Sequence, residues 1–139
     1  MNGDVFLDSN VLLYAISTDD PRSATATAAL AQGGAISVQV LNEFANAARR
    51  KLRRSWQDIA EALAAIRALC RQPLPITVAT HEAAREIAER EGFSFYDSLI
   101  IASALEAGCA TLLSEDMQDG RVIAGRLTIR NPFAERAQP

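Results

Sequence analysis

Apolar positions along the chain fall into short runs that alternate with longer segments of helical periodicity. Val5-Phe6-Leu7 is a three-residue apolar run closed by Asp8, and the segment Val11-Leu12-Leu13-Tyr14-Ala15-Ile16 behind it is apolar enough for a buried helix. Asp19-Asp20-Pro21 makes a polar turn whose proline suits the opening of a helix. That helix is the alanine-rich segment from Arg22 to Ala31, closed by Gly33-Gly34. Ala35-Ile36-Ser37-Val38 predicts a short strand, and a helix carrying Val40, Leu41, Glu43, Phe44, Ala47 and Ala48 follows it.

Ser55 with Asp58 three residues later has the form of a capping box, and Ile59, Leu63, Ile66, Leu69 and Cys70 recur at helical spacing as far as Arg71. Pro73-Leu74-Pro75 breaks that helix. Ile76-Thr77-Val78 reads as a strand, and Thr80 as the cap of a helix that Gly92 terminates. Phe95 to Ala107 predicts a further helix closed by Gly108. The strand Thr111-Leu112-Leu113-Ser114, an acidic turn from Glu115 to Gly120, and an edge strand at Leu127-Thr128-Ile129 complete the pattern. Short strands alternating with helices predict an α/β fold with a mainly parallel sheet, because parallel strands need helical crossovers. No internal repeat or linker divides the chain. The reading is one domain over residues 1–133, with a loose tail at 134–139.

Composition narrows the chemistry. At 139 residues, with 49% hydrophobic and 22% charged, the chain is ordinary for a single folded domain. Asp4 and Asp8 interrupt the amino terminus before a signal-peptide core could form, and no apolar run approaches membrane-helix length, so the expected location is the cytoplasm, without membrane contact. The two cysteines, Cys70 and Cys109, lie far apart and lack a metal-ligand pattern, and the one histidine, His81, has no second histidine or cysteine to share a metal. Disulfide scaffolds, zinc sites and Ser/His/Asp or Cys/His catalysis therefore have little support. The net charge of −3 argues against a general nucleic-acid-coating protein, but five of the fourteen basic residues fall within Arg49-Arg50-Lys51-Leu52-Arg53-Arg54. Such a cluster can hold phosphates; it equally suits a solvated helix end whose cations complement the dipole.

The acidic residues carry the sharper signal. In an open α/β sheet ligands bind beyond the carboxyl ends of the strands. Asp8 directly follows the first strand, and Asp116 lies two residues beyond Ser114. Each also suits a bland role, Asp8 as a helix cap and Asp116 as a turn residue. Glu43 lies one turn from both Val40 and Ala47, on a face that reads as buried, where a charge needs a cation or a nearby arginine. Asp97 sits among Tyr96, Leu99, Ile100 and Ile101, with helix N-terminal stabilisation as its bland role. Together these four acids come from different elements whose ends one α/β sheet brings to one edge. Carboxylates so gathered coexist ionised only with cations, and a set of oxygen donors suits Mg²⁺ or Mn²⁺.

These residues resemble a known family. Phe6-Leu7-Asp8-Ser9-Asn10-Val11-Leu12-Leu13-Tyr14 is similar to the opening motif of PIN domains, and Ser37-Val38-Gln39-Val40-Leu41-Asn42-Glu43-Phe44 to the second. Phe95-Tyr96-Asp97-Ser98-Leu99-Ile100-Ile101-Ala102-Ser103-Ala104 resembles the third motif, and Leu112-Leu113-Ser114-Glu115-Asp116-Met117 the fourth. The resemblance spans nearly the whole chain. It implies a three-layer α/β/α sandwich with Asp8, Glu43, Asp97 and Asp116 as catalytic metal ligands, Asp119 as a further contributor, and Asn10, Ser37 and Ser114 orienting the site. It also implies cleavage of single-stranded RNA by metal-activated water, with Arg49, Arg50, Lys51, Arg53 and Arg54 as the RNA-backbone surface.

Among PIN domains, a compact chain of this size looks like the VapC-like toxins, which implies a cognate antitoxin and a homodimer. The segments Val11 to Ile16 and Val40 to Phe44 carry more apolar residues than a small core is expected to absorb, as an interface would require. Two rivals remain. A haloacid-dehalogenase-type phosphatase needs a second aspartate two residues after the first, where this chain has Asn10, and a site lysine, for which Lys51 is the sole candidate. A non-catalytic PIN-like binding module would keep the fold without the metal site, yet all four acids are present.

Overall fold

The structure, a computed structural model, describes residues 4–134. Strand β1 (Val5–Leu7) leads into α1 (Ser9–Ile16), followed by α2 (Ser23–Ala31), α3 (Val38–Arg50), α4 (Trp56–Leu69), α5 (Val78–Glu91) and α6 (Phe95–Glu106). Strands β2 (Thr111–Leu113), β3 (Val122–Ile123) and β4 (Leu127–Arg130) close the chain. The result is the expected three-layer α/β/α sandwich about a small, mostly parallel sheet. Residues 135–139, most of the expected tail, lie outside the described residues. Among the described residues no helix is long and apolar enough to cross a membrane.

The sheet has the order β1-β2-β4-β3, with β1, β2 and β4 mutually parallel and β3 antiparallel to β4. Its register lines up Phe6, Leu112 and Ile129 across the parallel strands, all fully buried. This row is the centre of the core. One residue further along, Leu7, Leu113 and Arg130 are in register, and the chain then leaves the sheet through Asp8 and Ser114. The amide of Asp8 still donates to the Leu113 carbonyl at 3.0 Å, and that of Ser114 to Arg130 at 2.9 Å. Both side chains are thus fixed at the carboxyl edge of the sheet.

Local capping chemistry sets the helix starts. Asp8, Ser37, Ser55, Thr77 and Ser94 each accept a backbone hydrogen bond at the head of α1, α3, α4, α5 and α6 respectively, which satisfies an otherwise orphaned amide. On α3 the stripe Val40, Phe44 and Ala48 is fully buried, four residues apart, so the helix docks through one face and leaves the others to the site.

Three expectations change. Ala35-Ile36-Ser37-Val38 is no full strand; it makes single parallel rungs, Phe6 with Ala35 and Ser37 with Leu74, because Val38 already begins α3. These rungs need Gly34, where an added Cβ would stand 3.0 Å from the Val5 carbonyl oxygen. Ile76-Thr77-Val78 is likewise not a strand. Thr77 is the cap of α5, and Thr80 is its reciprocal partner in a capping box, bonding back to the Thr77 amide at 3.2 Å. Finally, the apolar residues of the segments Val11 to Ile16 and Val40 to Phe44 are all at least half-buried. Val11, Leu12, Val40 and Phe44 are buried, Leu13 to Ile16 and Leu41 are half-buried against them, and the exposed apolar side chains are Val38, Trp56, Leu69, Val78, Tyr96 and Val122.

Candidate metal centre

Asp8 is the innermost acid, 2% exposed. Its two oxygens are held by neutral donors: the Ser9 amide at 2.7 Å on Oδ1, and the Ser114 hydroxyl at 2.6 Å on Oδ2. Burial pushes its carboxyl up to about 7, against those two hydrogen bonds, and the charges of Glu43 and Asp97 push the same way. Asp97, half-buried in the first turn of α6, is also raised by burial and by the charge of Asp116, while Ser94 lowers it. The four acids therefore share one electrostatic field, although they come from the end of β1, from α3, from α6 and from the turn after β2.

Asn10 is the fork that joins two of them. Its amide nitrogen lies 3.4 Å from Asp8 Oδ2 and 3.2 Å from Asp116 Oδ2, and its carbonyl oxygen accepts from the Glu115 amide at 3.2 Å. Ser114 serves both acids too, donating to Asp8 and accepting from the Asp116 amide at 3.3 Å. Glu43 is half-buried on the shoulder of α3, with the Ser9 hydroxyl 3.2 Å from Oε1 and the Gln39 amide 3.0 Å from Oε2. Among the described residues no arginine pairs with it. Among the described residues none of the four acids forms an ion pair.

A fit for a divalent cation follows from this donor set. A buried carboxylate raised by burial and by acidic neighbours, and held only by neutral hydrogen bonds, calls for positive charge. Among the described residues no three metal-coordinating side chains stand close enough together to form a ready cage.

Other expected contributors take different places. Ser37 is fully buried and accepts from the Val40 amide, so it orients Glu43 only by capping α3. Asp119 accepts from the Asn131 amide at 2.8 Å, pinning the turn after β2 to the end of β4. The basic cluster divides. Arg50 and Lys51 line a cavity of about 380 Å³ together with Ser9, Glu43, Asn46, Ala47 and Asp116. Arg54 instead donates to the Ile16 carbonyl at 2.8 Å, tying down the end of α1. Arg49 donates to the Arg54 carbonyl and lies over the Trp56 ring, while Arg53 is exposed in the turn at a positive φ. Of the five basic residues, Arg50 and Lys51 are the ones that line this cavity.

Sequence reasoning missed a supporting network. Arg22 makes a two-point contact with Glu115 at 3.1 and 3.0 Å, stacks on the Tyr14 ring at 3.9 Å, and is itself held by Asp20. The Tyr14 hydroxyl donates to the same Glu115. The residue before Asp116 is thus clamped between α1 and the start of α2. Nothing local marks these partners, which are separated by 93 and 101 positions in the chain.

An acid-lined, oxygen-only site at the carboxyl edge of a parallel sheet, rimmed by two cations, is the frame into which the comparisons with known proteins fit. The PIN domain family model matches residues 5–121, and the chain belongs to that family. Its fold is similar to VapC20 of Mycobacterium tuberculosis, described as a sarcin-ricin loop cleaving toxin, with 24% identity, a TM-score of 0.66, and coverage of 81% of this chain and 91% of that one. It is also similar to a toxin–antitoxin complex from Klebsiella pneumoniae (18% identity, TM-score 0.70, coverage 93% and 98%). VapBC2 of Rickettsia felis, bound to a DNA fragment from its promoter, matches at 18% identity and TM-score 0.65 over 91% of this chain and 98% of that one. No curated protein sequence matches the chain.

The uncompensated Asp8 generates a stability prediction. In chelator at pH 8, Asp8→Asn raises the thermal midpoint, because it removes a buried charge while keeping a good helix cap. Added Mn²⁺ raises the midpoint of the parent but not of the variant. Calorimetry reads both, and a variant that still gains stability from Mn²⁺ places the ion elsewhere.

Proposed function

We propose that this protein is a Mg²⁺- or Mn²⁺-dependent endoribonuclease acting as the toxin of a toxin–antitoxin pair. The observation that carries the reading is the pairing of an unneutralised acidic array with Arg50 and Lys51 across one cavity. Asp8, Glu43, Asp97 and Asp116 would hold the cation, and Asn10 and Ser114 keep two of those carboxylates aimed at it. A cation bound there acidifies water and neutralises charge on the attacking and leaving oxygens of a phosphodiester. Arg50 and Lys51 draw the RNA backbone towards a site whose own acids repel it. VapC20, whose fold the chain shares, is described as a sarcin-ricin loop cleaving toxin, and the other two related structures are toxin–antitoxin assemblies, which supports both the reaction and the partner.

The phosphatase alternative is weaker. Position 10 offers an amide where an acid/base carboxylate is needed, and Asp8 is too enclosed, with both oxygens hydrogen-bonded, to serve as a nucleophile. A binding module without catalysis leaves the buried Asp8 and its acidic neighbours without a purpose that offsets their cost.

Cleavage of single-stranded RNA is expected to require Mg²⁺ or Mn²⁺ and to stop in excess chelator. Asp97→Asn should reduce the rate by more than the roughly 10–100-fold that loss of an outer hydrogen-bonding partner costs. Gel analysis of cut RNA reads both, and undiminished cutting in chelator sinks the metal assignment. Replacing Arg50 and Lys51 by alanine should weaken RNA binding and reduce the salt slope by about 0.7 for each lost contact. Arg49→Ala, by contrast, should leave the slope unchanged. A slope that responds equally to Arg49 would restore the wider basic surface. Expression of the parent alone is expected to arrest growth, and co-expression of a small neighbour-encoded protein to relieve it. Asp8→Ala should be harmless yet still copurify with that partner; a harmless parent that binds no such protein removes the toxin assignment.

A further inference from the structure

Glu43 and Asn46 form a ridge between two cavities. On one side lies the acidic cavity with Arg50 and Lys51; on the other is a cavity of about 340 Å³ lined by Gln39, Asn42, Glu43, Asn46 and Tyr96. Residues 39, 42, 43 and 46 stand three or four apart on α3 and so form a continuous stripe. The second cavity has a different chemistry from the first: three carboxamides, a phenol ring and the Glu43 carboxylate that both cavities share, with no cation among the described residues that line it. Tyr96 is 62% exposed although it opens α6 directly before Asp97. Its ring is braced edge-on by Phe95 at a centroid distance of 5.7 Å, and Phe95 in turn meets His81 at 5.3 Å.

We propose that this cleft is a subsite for one unpaired nucleobase of the RNA, adjoining the phosphodiester held over the acids. The proposal rests on the ribonuclease reading and names what the site selects. Neutral amides hold a phosphate poorly, whereas a braced, exposed aromatic ring is a stacking platform for any base. Gln39 is already engaged by Glu43, so Asn42 and Asn46 are the carboxamides that read the base edge. A carboxamide presents a donor beside an acceptor, which matches the donor–acceptor edges that an unpaired base leaves open. A nucleotide can set its base on one side of the Glu43–Asn46 ridge and its phosphate on the other only when it is splayed out of a stack. Paired RNA cannot do this, so the substrate is a loop, bulge or end.

The test uses the full chain and a short fluorescein-labelled single-stranded RNA whose nucleotides around the cut are made abasic one at a time. Cleavage is followed with Mn²⁺, and binding by anisotropy in chelator. Tyr96→Ala is expected to lower kcat/KM and affinity by about tenfold, and Tyr96→Phe to match the parent. Alanine favours the helix, so α6 keeps its start, which circular dichroism checks. At one position the abasic nucleotide should cost the parent the same factor and cost Tyr96→Ala nothing further. The proposal is overturned if Tyr96→Ala stays within about twofold of the parent, or if its loss adds to that of every abasic position. Should the parent cut no RNA while Tyr96-dependent, base-dependent binding persists, the ribonuclease reading falls and the base subsite stands. If Tyr96→Ala weakens only the binding of a neighbour-encoded protein, the cleft belongs to that partner and the subsite is refuted.

Discussion

The architecture of the site depends on one electrostatic constraint: Asp8 is buried at the end of a core strand with no cation paired to it. Enclosing an ionised carboxylate costs several kcal/mol when nothing neutralises it. The chain answers with neutral donors alone, the Ser9 amide, the Ser114 hydroxyl and the Asn10 amide, and the carboxyl still stands near 7. An arginine in place of one of these would stabilise the fold and close the site to a metal. Stability is given up at this edge so that positive charge must come from outside, as sites that break a local rule for function do.

Helix α3 converts that constraint into a binding surface. One face, Val40, Phe44 and Ala48, is committed to the core, which leaves the rest of its circumference free to change chemistry along its length. Gln39 and Asn42 precede Glu43, Asn46 follows it, and Arg50 with Lys51 close the helix, where cations also complement the dipole. On the proposed reading, an RNA lying along α3 would meet the carboxamides around Glu43 and then the two cations. The turn holding Asp116 is fixed from the opposite side by Arg22 and Tyr14, which both bond Glu115.

Much of the fold was legible because its signals are local. A strand ending in Asp8, the serine cap at Ser55, and Gly92 in the left-handed conformation at the end of α5 each express their chemistry within a few residues. Thr80 was mistaken for Thr77 since a capping box places two threonines in reciprocal bonds, and the pattern does not say which comes first in the helix. Strand β3 escaped notice for a similar reason. It has only two residues, and its turn uses Ala124 and Gly125, both at positive φ, where the usual signal would be asparagine before glycine.

The sequence by itself determined where the candidate residues stand: three acids near element ends and Glu43 within a helix, oxygen donors without histidine or cysteine, and a basic run after Glu43. Residue type and position relative to a strand or helix end are local properties, and they survive without knowledge of the fold. Only the tertiary structure decided which cations serve the site and which serve the scaffold. Arg54 and Arg50 are four residues apart in the same run, yet one is spent on the Ile16 carbonyl and the other faces the acids, because the chain turns at Arg53. The same holds for Arg22 and Glu115, and for the cleft in which α6 sets Tyr96 against the carboxamides of α3. Those partners share no periodicity, and only packing brings them within reach.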